Sequence, residues 1–513
     1  MSLLRLLPRR VALGLAFALC VALSVAAQTT PERTVRLTLL QVNDVYQFLP
    51  VDRGAKGGLA RLLTLRKRLM AESPNTLFLL GGDTISPSVE SNTYKGRQMI
   101  DAWNAVGLDY SVFGNHEFDF GPEVLRERIN ESHFTWLGAN VIDKKTGKPF
   151  GGTPPFVIRE FEGVKVGLFG LVLPETKQTS RPGPDVDFED VCATARRIVP
   201  QMRAEGAQII IAMTHLTMRE DKAVAQCAAI DVIIGGHEHT LLESLSGHTP
   251  IFKMTSDARQ MGRINLNIKA SSGELESMDW EVIPVTSDIP PDPSFVAVTE
   301  KYKAVLAELG ERVGHTDVEL DARTAANRTR ETNIGDFVAD AFRQTTGADV
   351  ALLNGGSIRA DALISPGELT KRDVLSILPF PNPVVKLEVS GATLRAALEH
   401  GVSRSAEDAE PGRFPQVSGL RFTFDATRPA GARVIEATVN GQPLDDRKTY
   451  TLATSSFLAI DGGDGYNMFR GARFVIKPEQ AEKAPEALRK AIAAVKSIAP
   501  RVEGRITRKD ERR

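Results

Sequence analysis

From Tyr110 to Asp119 the chain reads Tyr-Ser-Val-Phe-Gly-Asn-His-Glu-Phe-Asp. A short β-branched and aromatic run stops at a glycine, and four polar side chains able to do chemistry follow within five residues. Tyr110–Phe113 fits a strand, and Gly114 permits close backbone approach where that strand ends. The same grammar recurs on both sides. Val35–Val42 runs into Asn43-Asp44-Val45-Tyr46, and Thr76–Leu80 into Gly81-Gly82-Asp83. Gln208–Met213 runs into Thr214-His215, and Asp231–Ile234 into Gly235-Gly236-His237-Glu238-His239. With a further run at Lys165–Leu171, and helical spacing at Gly58–Met70 and Pro122–Ile129, this alternation predicts an α/β layered domain. In such sheets ligands gather beyond the carboxyl ends of the strands. That edge here carries Asp, Asp, Asn-His, His and His-x-His in turn.

Carboxylate, imidazole and amide oxygen together suit divalent or trivalent first-row metals. His116, His215, His237 and His239 all fall in these loops; His133, His248, His315 and His400 are scattered. One histidine near a strand end is usually a satisfied structural residue. Four at successive strand ends are not explained that way.

Working outward, Val285–Ser294 is a proline-rich break that continues neither sheet nor helix. A charged helical stretch, Phe295–Arg312, leads from it into a second half of α+β character. That half carries an amphipathic helix at Ile334–Thr345, strands at Val350–Leu353 and Val384–Val389, and a helix at Thr393–His400. Further strands fit Leu420–Phe424, Val434–Val439 and Tyr450–Thr454. The expected division is residues 1–27 as a leader, 28–286 as the first domain, 287–312 as a helical linker and 313–513 as the second domain. A hinge is expected near Pro290–Pro293.

The leader has a basic head (Arg5, Arg9, Arg10), an apolar run Val11–Leu23 and small residues at Ser24–Ala27, the pattern of a cleaved signal peptide. The run is short for a spanning helix. A soluble periplasmic or secreted chain is the expectation. Removing three arginines takes the net charge from −1 to about −4. With 42% hydrophobic and 25% charged residues, the composition is that of a globular enzyme and not of a nucleic-acid binder, which would be strongly basic. Cys192 and Cys227 would remain; an oxidising compartment suits a disulfide, and two buried free thiols fit the pattern as well.

The Gly-Asn-His-Glu-x-x-Asp and Gly-His-x-His motifs, in this order, resemble the calcineurin-like metallophosphoesterases and, within them, the 5′-nucleotidase family. The resemblance covers nearly the whole chain after the leader. It implies an α/β metallophosphoesterase sandwich followed by an α+β nucleotide-binding domain. It implies two metal ions (Zn, Mn, Fe or Co) bridged by Asp83, one completed by Asp44 and His239, the other by Asn115, His215 and His237. His116 and Asp119 match the family's catalytic dyad; a purely structural role for His116 remains the alternative.

In the second half, Arg328-Thr-Arg330-Glu-Thr-Asn333-Ile-Gly335 resembles the family segment that supplies an arginine to the substrate phosphate, and Asn354-Gly-Gly-Ser-Ile-Arg359 resembles the family's Asn-Gly-Gly-x-Ile-Arg motif. Leu378-Pro-Phe380 and Phe457-Leu-Ala-Ile-Asp-Gly-Gly-Asp464-Gly resemble those bearing two stacking aromatics and a ribose-binding aspartate. Phe380 and Phe457 can sandwich a flat base, or serve as core; Asp464 can bind ribose or cap its turn. Arg328, Arg330 and Arg359 can fork onto phosphate oxygens.

One position departs from the family, whose first motif reads Asp-x-His where this chain has Asp44-Val45-Tyr46. A tyrosine ligates only as phenolate, with a reference pKa near 10. It can bind the first metal, swing away, or leave that site empty. The expected function is hydrolysis of nucleotides or a related phosphate ester. Rival activities on this scaffold are 2′,3′-cyclic-nucleotide phosphodiesterase, nucleotide-sugar diphosphatase and thiosulfohydrolase. A nucleotide-binding protein without catalysis is the rival of another class.

Overall fold

The computed structural model describes residues 32–405 and 411–510. The expected leader lies outside the described residues. Among those described, no helix is long and apolar enough to cross a membrane.

Strand Thr34–Val42 sets the pattern of the first half. Val35, Leu37 and Leu39 enter one core, while Leu40 and Val42 enter another, because successive side chains on a strand point to opposite faces. Thr76–Leu80 divides in the same way, with Leu77 and Leu79 against Phe78 and Leu80. So does Ile209–His215, with Ile209, Ile211 and Met213 against Ile210 and Ala212. A strand buried on both faces needs a layer on each side, and two six-stranded sheets packed face to face with helices outside supply it.

The first sheet runs Leu275–Pro284, Gln260–Lys269, Thr34–Val42, Thr76–Leu80, Tyr110–Val112, Thr135–Leu137. The second runs Leu242–Ser246, Thr249–Lys253, Val232–Gly235, Ile209–His215, Val164–Val172, Val157–Phe161. The strands named from sequence are the parallel ones and their neighbours in the middle of these sheets. The outer ones escaped because exposed strands such as Leu275–Pro284 lack the continuous apolar run that marks a buried one. Thr34–Val42 pairs parallel with Thr76–Leu80, that strand with Tyr110–Val112, and Ile209–His215 with Val232–Gly235. All their carboxyl ends therefore open on one edge.

The second half is built on a five-stranded sheet, Pro415–Ser418, Val350–Asn354, Thr449–Ser455, Val384–Ser390, Arg473–Ile476. Helix Asn333–Thr346 buries Ile334, Val338 and Phe342 against Ala351 and Leu353 on one face. Helix Gly391–Gly401 buries Leu394 and Leu398 against Val350 and Leu352 on the other.

The segment between the halves is not a free tether. Helix Val296–Leu309 buries Val298 and Tyr302, with Phe295 before it, in the first domain's core. The proline-rich stretch ahead of it is tied to helix Leu59–Glu72. Thr64 Oγ1 donates to Pro290 O at 2.7 Å, and Lys67 pairs with Asp292 at 2.7 Å. The stretch expected to act as a hinge, Pro290–Pro293, is thus bonded to the first domain in this structure. Cys192 and Cys227 form a disulfide joining helices Val191–Ala204 and Met218–Cys227. That settles the choice the sequence left open.

Candidate metal centre and substrate cavity

At the shared strand edge Asp44 and Asp83 are buried side by side with His215; one ligand atom from each lies within 4.8 Å of the others. His215 Nδ1 is 2.8 Å from Gly81 O, so an N–H points there, and Nε2 faces Asp83 Oδ2 at 3.2 Å. Asp44 Oδ1 sits 3.2 Å from His239 Nε2, and Asp44 Oδ2 accepts the His237 backbone N–H at 2.9 Å. Asn115 Oδ1 and His215 Nε2 are buried without a hydrogen-bond partner, an unusual state for protein polar atoms.

Electrostatics point the same way. Burial alone would raise the Asp44 and Asp83 carboxyls, yet the neighbouring histidines hold both well below the usual carboxylate range. Burial alone would lower the His215 imidazole, but Asp83 and Asp44 push it up to about 10. The pocket is an anionic well that favours positive charge. Burial and then His215 keep the His237 imidazole well below its ordinary value, in the neutral form that ligates. Orphaned oxygen and nitrogen donors converging on two carboxylates fit a divalent cation.

The backbone is bent to build this. Asp44, Asp83, His237 and His239 all have positive φ, at 54°, 58°, 91° and 55°, a costly conformation for such residues that clusters at functional sites. Gly114 cannot be replaced cheaply, because a Cβ there would stand 2.1 Å from Asp83 Oδ1.

Tyr46 lies in the middle of the centre. Its Oη is 3.2 Å from Asp44 Oδ1, 3.2 Å from Asp83 Oδ2 and 2.8 Å from His239 Nε2, and it accepts from Arg359 Nη2 at 2.9 Å. Burial, then Asp83 and Asp44, hold the phenol well above its ordinary pKa. His116 Nδ1 is 2.7 Å from Asp119 Oδ2, and its backbone N–H donates to Asp83 Oδ1 at 2.9 Å.

A cavity of about 260 Å³ opens beside the centre and is lined by both domains. The first contributes Asp83, Asn115, His116, Asp119, His237 and His239. The second contributes Arg328, Asn354, Arg359, Phe380, Phe457 and Asp464. Asp44, Tyr46 and His215 lie under the floor. The Phe380 ring stacks on His116, 5.9 Å between centroids at 25°. Asn354 Nδ2 donates to Asp464 Oδ2 at 2.5 Å.

Arg330 is the exception. Its side chain is 56% exposed and reaches Asp321 at 3.8 Å, away from the cavity. Arg328 closes the short helix Thr324–Asn327 on the cavity side, and two residues further on the chain has turned outward. The expectation for Arg330 is corrected accordingly.

Several residues of the site went unread in the sequence. Glu117 is buried and accepts the N–H groups of Asp83 (3.0 Å), Thr84 (2.7 Å) and Gly114 (2.5 Å), tying two strand-end loops together. Burial and then Asp83 push its carboxyl up to about 7. Its place inside the Gly-Asn-His-Glu motif was the available signal. Lys253 is buried and donates to Leu216 O (2.5 Å) and Gly236 O (2.9 Å), and pairs with Asp221 (2.8 Å) and Glu238. A lysine ending an apolar strand was its signal. Ser180 donates to Asp119 Oδ1 at 2.7 Å, and Arg404 and Arg413 line the cavity; no local pattern marks these three.

Comparison with known proteins follows the same division. Residues 37–241 match the family model for calcineurin-like phosphoesterase, and residues 312–471 that for the 5′-nucleotidase C-terminal domain. A 5′-nucleotidase of Diplobatis ommata is 31% identical over 524 residues, covering 92% of this chain and 89% of that protein. The trifunctional nucleotide phosphoesterase protein YfkN of Bacillus subtilis is 30% identical over 530 residues. That match takes in 92% of this chain, which spans only 35% of the Bacillus protein's length. Among solved structures, a 5′-nucleotidase precursor from Thermus thermophilus superposes with a TM-score of 0.85 at 31% identity, covering 93% of this chain and 100% of that one.

Proposed function

This chain belongs to the 5′-nucleotidase family of calcineurin-like metallophosphoesterases, and from that premise we propose that it is a secreted, dinuclear phosphatase acting on nucleotides. It is a phosphate-ester hydrolase dependent on divalent metal. Two ions would be held by Asp83 together with Asp44 and His239 for one, and with Asn115, His215 and His237 for the other. Tyr46 is assigned to the first ion. Bound there, such ions supply Lewis acidity to the phosphoryl group and lower the pKa of an attacking water.

The protein's own residues supply the rest. His116, oriented by Asp119, stabilises charge on the phosphoryl group or hands a proton to the leaving oxygen. Arg328 and Arg359 hold phosphate oxygens, Phe380 and Phe457 clasp the base, and Asp464, steadied by Asn354, takes the ribose. The observation that carries this reading is the single cavity with the metal-type cluster in one wall and arginine and phenylalanine side chains in the other.

Secretion draws support from the Cys192–Cys227 disulfide, a bond that persists in oxidising compartments. The test is phosphate release from a panel of nucleoside monophosphates, cyclic nucleotides and nucleotide sugars, with Mn, Zn, Co and Fe added in turn. Asp83→Asn serves as the control. A neutral amide cannot hold two cations together, so turnover should vanish; near-normal activity in that variant with unchanged metal content refutes the dinuclear reading.

A further inference from the structure

Among the segments of the second domain that reach the metal centre is Arg359–Asp361. Arg359 reaches Tyr46, as described. Asp361, two residues on, has φ +47°, and its strained backbone is held by contacts on both domains. Asp361 Oδ1 accepts the Thr324 backbone N–H at 2.9 Å within its own domain. The other contacts cross to the first domain: Ser256 Oγ donates to Asp361 Oδ2 at 2.7 Å, and Arg259 Nη2 donates to the Asp361 carbonyl at 3.2 Å. The loop bearing Ser256 and Arg259 is itself fixed to the centre. Asp257 N donates to Asp44 O at 2.9 Å, and the Asp257 carboxylate accepts the Tyr46 backbone N–H at 3.0 Å.

What Asp361 faces is the free side of His239. The His239 Nε2 edge meets Asp44 and Tyr46, while Nδ1 is buried without a hydrogen bond. The Asp361 Oδ2 atom stands 3.8 Å from that nitrogen. A ring shift of about 1 Å brings the pair to hydrogen-bond length. Histidines that ligate metal through one nitrogen almost always present the other N–H to a carboxylate, carbonyl or water, which fixes tautomer and ring orientation.

We propose that Asp361 is a positioning residue for His239, delivered across the domain boundary. Its carboxylate accepts a hydrogen bond from Nδ1–H and leaves Nε2 as the lone-pair nitrogen turned toward Asp44. The metal affinity of that half of the centre then depends on the second domain being docked, and the partner half does not share this dependence. The inference rests on the reading of Asp44 and His239 as ligands of one ion.

The experiment uses the full chain, stripped with chelator and titrated with Co²⁺ by calorimetry and visible absorption. Asp361→Asn is the main variant, since asparagine tolerates the same positive φ. Two equivalents are expected for the wild type. In Asp361→Asn one equivalent should weaken about 10- to 100-fold, with a changed visible band for that ion, while the other stays within about twofold. Ser256→Ala, which removes the hydroxyl steadying Oδ2, should weaken the same equivalent by a smaller factor, and it carries the test if the asparagine variant does not fold.

Unchanged binding of both equivalents in the variants overturns the proposal. Equal weakening of both, with a lower melting temperature of the stripped protein, overturns it too and makes Asp361 merely structural. A wild type that binds fewer than two equivalents instead defeats the dinuclear reading beneath it, an outcome distinct from either.

Discussion

His116→Ala separates the two things the His116 position does. The ring gives Asp119 its 2.7 Å hydrogen bond; the backbone N–H gives Asp83 a 2.9 Å one. Alanine deletes the first and keeps the second, so the Asp83 carboxylate stays where it is. The ring of Tyr46, one of the proposed ligands, is 6.2 Å away between centroids, and metal content should be unaffected. What goes is acid–base and charge stabilisation, a loss of roughly 10²- to 10⁴-fold in kcat, or about 3–5 kcal/mol of barrier. Folding should suffer less, because the stacking on Phe380 contributes only about 0.5–1.5 kcal/mol. Ser180→Ala removes a support one step further out, the hydrogen bond to Asp119 Oδ1. A loss of about 1 kcal/mol there translates into roughly fivefold in kcat with KM little changed. The assay is steady-state phosphate release from a nucleoside monophosphate, with metal content measured on the same samples by plasma emission. If kcat in His116→Ala falls in proportion to metal equivalents, the residue holds the metal and the dyad reading is wrong.

Four further outcomes are expected. Arg359→Ala should lower kcat/KM on nucleotides by the equivalent of about 1.5–3 kcal/mol for a lost charged hydrogen bond, whereas Arg330→Ala, at an exposed site, should change it by under about 0.5 kcal/mol; the same phosphate-release assay decides. Phe380→Ala and Phe457→Ala should each weaken nucleotides by about 1–3 kcal/mol and an aryl phosphate by less, and equal losses on the two substrates would assign the rings to packing. Replacing Cys192 and Cys227 by serine opens a link spanning 35 residues and should lower stability by about 3–4 kcal/mol, read by denaturant unfolding against the unreduced wild type. Burial and then Glu331 push the Asp336 carboxyl up to about 8; a raised carboxyl stabilises the fold fully below its unfolded pKa, and that stability drains away as pH rises toward 8. Asp336→Asn should therefore flatten the pH dependence of melting temperature between about pH 4 and 8, and an unaltered slope would mean another group carries it.

What the sequence made legible is what lies close together along the chain. Asp44, Asp83, Asn115, His215 and His237 each follow directly on an apolar run, so strand direction alone puts them on one edge, and the alternation of Val35, Leu37 and Leu39 with Leu40 and Val42 foretells the two buried faces. Tyr46 fell two residues past that edge and stayed ambiguous, since spacing gives the side of the strand but not which atoms a phenol meets. Contacts closed by tertiary structure left no local mark. Arg328 and Arg330 share a motif and a chemistry, yet a single turn after Thr324–Asn327 sends one into the cavity and the other to Asp321. Ser180 reaches Asp119 across 61 residues, and Asp361 reaches Ser256 across 105. A hinge at Pro290–Pro293 is expected because phosphate and base sites lie on different domains, and the bonds from Thr64 and Lys67 that tie this stretch to the first domain come from a helix more than two hundred residues earlier. Strand-end chemistry is thus written locally and can be read as such. Side chains that pack behind it, such as Ser180 and Asp361, come from distant segments, and only the packed chain brings those segments together.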